Sequence, residues 1–149
     1  QYLDVTMYTL DVRLRDGKNV PCETNTKLAE IAFGMNNGSS TGARWDSITR
    51  KKVLIVDDIN DSGATINWVK ADWENTIQNK IQDDIDYVWD SVWNETTKFA
   101  VLYDNIASEA NLDVNYSAEE INKVDDPSWI VFPWEEWWSR WDPNEEVMK

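Results

Sequence analysis

Val53-Leu54-Ile55-Val56-Asp57-Asp58-Ile59-Asn60-Asp61-Ser62-Gly63-Ala64-Thr65 is the stretch from which the fold is read. Its first four residues are apolar and three are β-branched, the composition of a strand buried on both faces of a parallel sheet. Two carboxylates follow where such a strand emerges from the core. Gly63 then allows close backbone approach, and Ser62 and Thr65 offer hydroxyls. Downstream, Ile66, Val69, Trp73, Ile77 and Ile81 recur at helical spacing and share one face. The unit is strand, acid pair, small-residue loop, helix, and it predicts an α/β fold with a central parallel sheet flanked by helices.

Chemistry follows from the same parts. In open α/β sheets ligands sit beyond the carboxyl ends of the strands, and a helix N-terminus attracts phosphate. Asp57 and Asp58 are acceptors suited to the two hydroxyls of a ribose or to a hydrated divalent cation. The loop Asp61, Ser62, Gly63, Ala64, Thr65 supplies backbone donors and hydroxyls for a phosphate monoester. No lysine follows Gly63, so the GK[ST] ending that a triphosphate-binding P-loop needs is missing. One ribose and one 5′-phosphate is the natural ligand.

VLIVDDINDSGAT resembles the phosphoribosyl-diphosphate (PRPP) signature of type I phosphoribosyltransferases: four apolar residues, two acids, then D-[ST]-G-x-T. The resemblance implies that Asp57 and Asp58 hold the ribose hydroxyls and that Asp61 through Thr65 wrap the 5′-phosphate. It also implies that Asp61 accepts or orients the proton of the base nitrogen. A receiver domain can also place DD after a buried strand. It would need a phospho-accepting Asp at the end of a second apolar strand and a downstream Lys-Pro. Here Val88-Trp89-Asp90 falls in a helical pattern and no Lys-Pro exists.

Composition narrows the classes. The chain has 149 residues, 42% of them hydrophobic, with 10 Trp, which suits a single domain with a real core; the resemblance implies that this domain (1–149) is phosphoribosyltransferase-like. A net charge of −14 repels nucleic acid. No apolar run reaches the length of a membrane span, so neither nucleic acid nor membrane is an expected partner. There is no histidine and one cysteine, Cys22. A zinc site, a Ser-His site and an internal disulfide are thereby excluded, and acid–base work falls to carboxylates. A reducing, cytoplasmic setting is expected.

Along the chain, strands are predicted near 5–12, 53–57, 98–103 and 129–132. Asn25 to Phe33 reads as a short helix with Leu28, Ile31 and Ala32 inward and Thr24 or Thr26 as its cap. Residues 16–50 are polar and glycine-bearing, a composition that serves a lid or a plain surface excursion. Residues 63–93 predict one long helix or two, with Trp68, Trp73, Trp89 and Trp93 packing on the sheet or under a partner subunit. Residues 106–128 read as an acidic connection, and 142–149 as a flexible tail.

A second match lies at Trp129-Ile130-Val131-Phe132-Pro133-Trp134-Glu135, which resembles the W-I-x-x-P-W-[DE] ending of xanthine and hypoxanthine–guanine phosphoribosyltransferases. Taken alone, Trp129, Phe132 and Trp134 read as core, with Pro133 ending an edge strand. The resemblance implies that Trp129 stacks on the base, that Ile130 and Val131 lend backbone contacts, and that Asp58 and Glu135 stand near Mg²⁺. It implies transfer of a phosphoribosyl group from PRPP to a purine-like base, and a homodimer. Two departures stand out. Asp104 and Asn105 occupy the place of the lysine that reads the exocyclic oxygen in 6-oxopurine enzymes, Asn105 retaining an amide. The upstream strand and Arg-Gly-Gly-type pyrophosphate loop are also not in this sequence, and are expected to lie before residue 1 or to be lacking.

Overall fold

The computed structural model describes residues 5–12, 14, 22–36, 44–45, 50–81 and 85–134. Element order is α1 (Glu23–Phe33), β1 (Met35–Asn36), β2 (Arg44–Trp45), β3 (Val53–Val56), β4 (Ile59–Asn60), α2 (Ala64–Gln78), α3 (Asp86–Ser91), a wide π-type turn (Val92–Thr96), β5 (Thr97–Asn105) and β6 (Tyr116–Ile121). The fold is α/β. β5 is the middle strand, with β3 and β4 parallel to it on one side and β6 parallel to it on the other.

β3 and β4 behave as one strand with a break. Val53 faces Thr97 and Val56 faces Ala100, and the same register resumes with Ile59 opposite Tyr103 and Asn60 opposite Asp104. Across the break the Asp57 N–H still donates to the Ala100 carbonyl at 3.0 Å. The Asp58 carbonyl accepts from both Leu102 and Tyr103, at 3.0 and 3.1 Å. The acid pair therefore sits in a kink, and the sheet continues for two residues beyond it.

Helices cover one face of this sheet. Ile66, Val69, Trp73 and Ile77 of α2 are buried, as their spacing predicts, and Ile81 beyond the helix is buried too. Aromatic rings form a continuous core: Phe33 lies 5.1 Å from Trp89, Trp89 5.3 Å from Trp93, Trp73 5.6 Å from Trp93, and Trp93 6.4 Å from Phe99. These contacts join α1, α2, α3, the π-type turn and β5. At the turn, Asn94 donates to the Asp90 carbonyl and Thr96 to the Val92 carbonyl, so side chains satisfy groups in the widened winding.

Several expectations are corrected. Residues 5–12 form no strand. The amide of buried Asn25 bonds the Asp11 backbone on both sides, N–H to Oδ1 at 3.1 Å and Nδ2 to the carbonyl at 2.9 Å. A side chain on α1 thus takes the pairing that a strand would have supplied. Residues 129–132 form no strand either; the third parallel partner is β6, inside the stretch read as a connection. Asn115 sets its register by bonding both backbone groups of Phe99. β3 is buried on one face only, since Leu54 and Val56 are exposed while Ile55 is buried. Thr24 and Thr26 lie inside α1, whose N-cap position is Cys22, and Ile31 is only half-buried. The C-terminal end is capped as glycine allows, by Gly34 at φ 89° with its N–H on the Glu30 carbonyl. Of the stretch 16–50, α1 and the antiparallel pair β1–β2 are described; residues 37–43 between the paired strands and the tail 142–149 lie outside the described residues. Among the described residues no helix is long and apolar enough to cross a membrane.

Candidate functional site

The site is built where the β3–β4 run turns into α2. Asp57 is half-buried, and its Oδ1 accepts the Asp58 N–H at 3.0 Å. Burial, and secondarily the neighbouring Asp58 charge, raise its proton affinity above the usual aspartate value, while the Asp58 N–H bond opposes them. Asp58 Oδ2 accepts the indole N–H of Trp134 at 3.3 Å. Trp134 lies flat against buried Phe132, centroids 4.8 Å apart, and Phe132 meets Tyr103 of β5 edge-on at 5.9 Å. The segment carrying the second sequence match thus folds back over the sheet end carrying the first.

Asp61 opens the loop. Its carboxylate pairs with Lys123 Nζ at 3.0 Å, and its carbonyl accepts from Asn105 Nδ2 at 2.7 Å. The Lys123 ammonium also lies 5.3 Å from the centre of the Trp129 ring, which is 75% exposed. A cation over an indole face is a favourable arrangement. Ile130 is half-buried and Val131 exposed. A tight turn aims Trp129: Asn122 Nδ2 bonds Asp125, and Asp126 accepts both the backbone N–H and the hydroxyl of Ser128. Those two bonds hold the Asp126 carboxyl below the usual aspartate range.

Ser62, Gly63, Ala64 and Thr65 carry the turn into α2. Ser62 Oγ accepts the Ala64 N–H at 3.3 Å, and Ser62 and Ala64 are exposed. Gly63 has φ 84°, and a Cβ placed there would lie 2.4 Å from the Ala110 backbone nitrogen. The close approach that glycine permits is therefore used by the chain itself, in the connection between β5 and β6. Asn67 reinforces it, donating to the Glu109 carbonyl at 2.8 Å and accepting from Asn111 N–H at 2.6 Å. The outer side of the loop, at Ser62 and Ala64, is exposed.

The structure brings together Asp57, Asp58, Asp61, the loop to Thr65, and Trp129. Glu135 lies outside the described residues. Asp104 and Asn105 are taken up internally: Asp104 Oδ1 accepts from buried Asn60, and Asn105 is buried with both ends of its amide bonded. The amide that Asn105 retains at this place bonds within the chain. Lys123 was not foreseen, although it is the one basic residue between Lys98 and Arg140 in an acidic stretch. Among the described residues no group of three or more Cys, Asp or Glu side chains could hold a metal. Asp57 and Asp58 supply two hard oxygen donors, a set that fits Mg²⁺ bound mainly through water and ligand phosphates.

No family model, no curated protein and no solved structure matches the chain.

Proposed function

We propose that the chain transfers a phosphoribosyl group from Mg²⁺-PRPP to a purine-like nucleobase and releases pyrophosphate. The observation that supports this most is the Lys123 bridge, which joins Asp61 of the first sequence match to Trp129 of the second at one sheet edge. Both matches arrive at the same corner.

In this reaction the C1′–oxygen bond to pyrophosphate breaks and its electron pair leaves with pyrophosphate. A ring nitrogen of the base gives its pair to C1′ and loses its proton. Asp57 and Asp58 accept the ribose hydroxyls and set negative charge beside a ring that becomes positive. The Ser62 hydroxyl and the first N–H groups of α2 receive the 5′-phosphate. Asp61 accepts or orients the base proton, the role of a histidine in a chain that has none. The Trp129 face stacks on the base, with Ile130 and Val131 contributing backbone groups. When bound, Mg²⁺ neutralises the leaving pyrophosphate; Asp58 and Glu135 are the side chains assigned to it.

A second reading, a non-catalytic module that binds PRPP or a nucleotide, is favoured by one observation: Asp58 and Asp61 already have internal partners in Trp134 and Lys123. Release of pyrophosphate on adding PRPP, Mg²⁺ and a base separates the two. A melting panel with PRPP, Mg²⁺, nucleobases and their monophosphates tests both, because a ligand at 100 times its Kd adds about 2.7 kcal/mol. We expect PRPP and one purine monophosphate to raise Tm, and Asp57→Ala with Asp58→Ala to abolish the PRPP shift. A panel without any shift refutes both readings. Asp61→Asn is expected to lower turnover by about 100-fold with PRPP affinity retained; unchanged turnover removes Asp61 from the mechanism.

A further inference from the structure

Asn105 closes a ring. Its Nδ2 donates to the Asp61 carbonyl at 2.7 Å, and its Oδ1 accepts the backbone N–H of Lys123 at 3.1 Å and of Ala107 at 3.2 Å. From Lys123 the chain returns to the start, because Nζ pairs with the Asp61 carboxylate at 3.0 Å. Asp61 is thus held at its backbone by Asn105 and at its side chain by a lysine whose backbone Asn105 also holds. Asn105 is 6% exposed and leaves no amide group for a ligand. It stands at the last residue of β5, the middle strand, between the two segments that its amide ties together, the Asp61 loop and the chain just after β6.

We infer that Asn105 is a positioning residue, whose amide fixes the distance between the loop carboxylate Asp61 and the Lys123–Trp129 pair. This rests on the phosphoribosyl-transfer reading for what the fixed geometry serves. The chemistry requires an amide at this place. Aspartate has the same shape but would set an oxygen against the Asp61 carbonyl and lose the donor; an alkyl side chain would leave three backbone groups unpaired.

The experiment compares wild type, Asn105→Asp, Lys123→Met and the double variant by calorimetric titration with a purine nucleoside monophosphate. In parallel, the rate of amine acetylation at Lys123 is read by mass spectrometry without ligand, with Lys70, which pairs with Glu74 on α2, as internal standard. We expect each single variant to bind about tenfold more weakly and the double variant to bind no more weakly than the worse single one. Acetylation of Lys123 relative to Lys70 should rise several-fold in Asn105→Asp. Additive losses, or an unchanged Lys123 rate, overturn the positioning role even if wild type binds the nucleotide. Wild type that binds no nucleotide and no PRPP overturns the phosphoribosyl reading instead, while the labelling arm still reports on the ring itself. Should Asn105→Asp fail to fold, Asn105→Ser takes its place under the same readouts.

Discussion

Gly63 and Asp57 show how much a single position decides. At Gly63 the backbone is left-handed, and the space for a Cβ is filled by the Glu109–Ala110 backbone. Gly63→Ala should therefore destabilise by about 3 kcal/mol, combining backbone strain with displacement of a neighbouring chain. Urea unfolding measures this, and a loss under about 1 kcal/mol would mean that the connection moves aside freely. Asp57 presents a titration instead. Burial raises its folded-state proton affinity above the ordinary value of 3.8, so between that value and the raised one the folded chain binds more protons than the unfolded. Its contribution to stability accordingly falls as pH rises through that window and is a standing penalty above it. Asp57→Asn keeps the acceptor for the Asp58 N–H, and should raise Tm at pH 7. The gain should fade as pH falls through that window and be absent below about 3.8, where both states are protonated. A lower Tm at pH 7 contradicts this account. The same variant should lose ribose affinity, which places function and stability in opposition at this residue.

At the scale of elements, α2 was legible because its burial repeats every 3.6 residues along the chain, and a local pattern needs no partner to be read. Trp73 shows the weight of that face: fully buried and stacked on Trp93. Trp73→Ala should cost about 4 kcal/mol in urea unfolding, whereas a surface-like cost near 0.5 kcal/mol would dissolve the aromatic core as described. β6 was not legible. Tyr116 to Glu120 are all exposed, so the strand has no buried face to leave a pattern. It is defined by backbone pairing to β5 alone. Residues 129–132 fail in the opposite way, being apolar and β-prone yet part of no strand. Their ring contacts carry the segment across the sheet end in place of a ladder. In residues 5–12 the backbone of Asp11 is taken by the Asn25 amide, a side chain 14 residues downstream that no strand pattern announces.

On the scale of the whole chain, charge is the dominant long-range effect. With a net charge of −14 the folded state repels itself, and salt should relieve this. Raising NaCl from low to physiological ionic strength should increase Tm, and MgCl₂ at equal ionic strength should increase it further if Asp58 takes the cation. Equal effects of the two salts would show screening alone, and a protein indifferent to both would show that repulsion matters little here. Composition and order along the chain alone determined the α/β class, the helical face of α2, the acid pair and the small-residue loop, because each is a matter of nearest neighbours in sequence. Only the tertiary structure decided that the acid pair lies in a kink and that Gly63 receives backbone. It also decided that Lys123 bridges Asp61 to Trp129 and that Asn105 is enclosed rather than presented. Those outcomes depend on which distant segments share a sheet edge, and backbone hydrogen bonding between such segments leaves no periodic trace in either one.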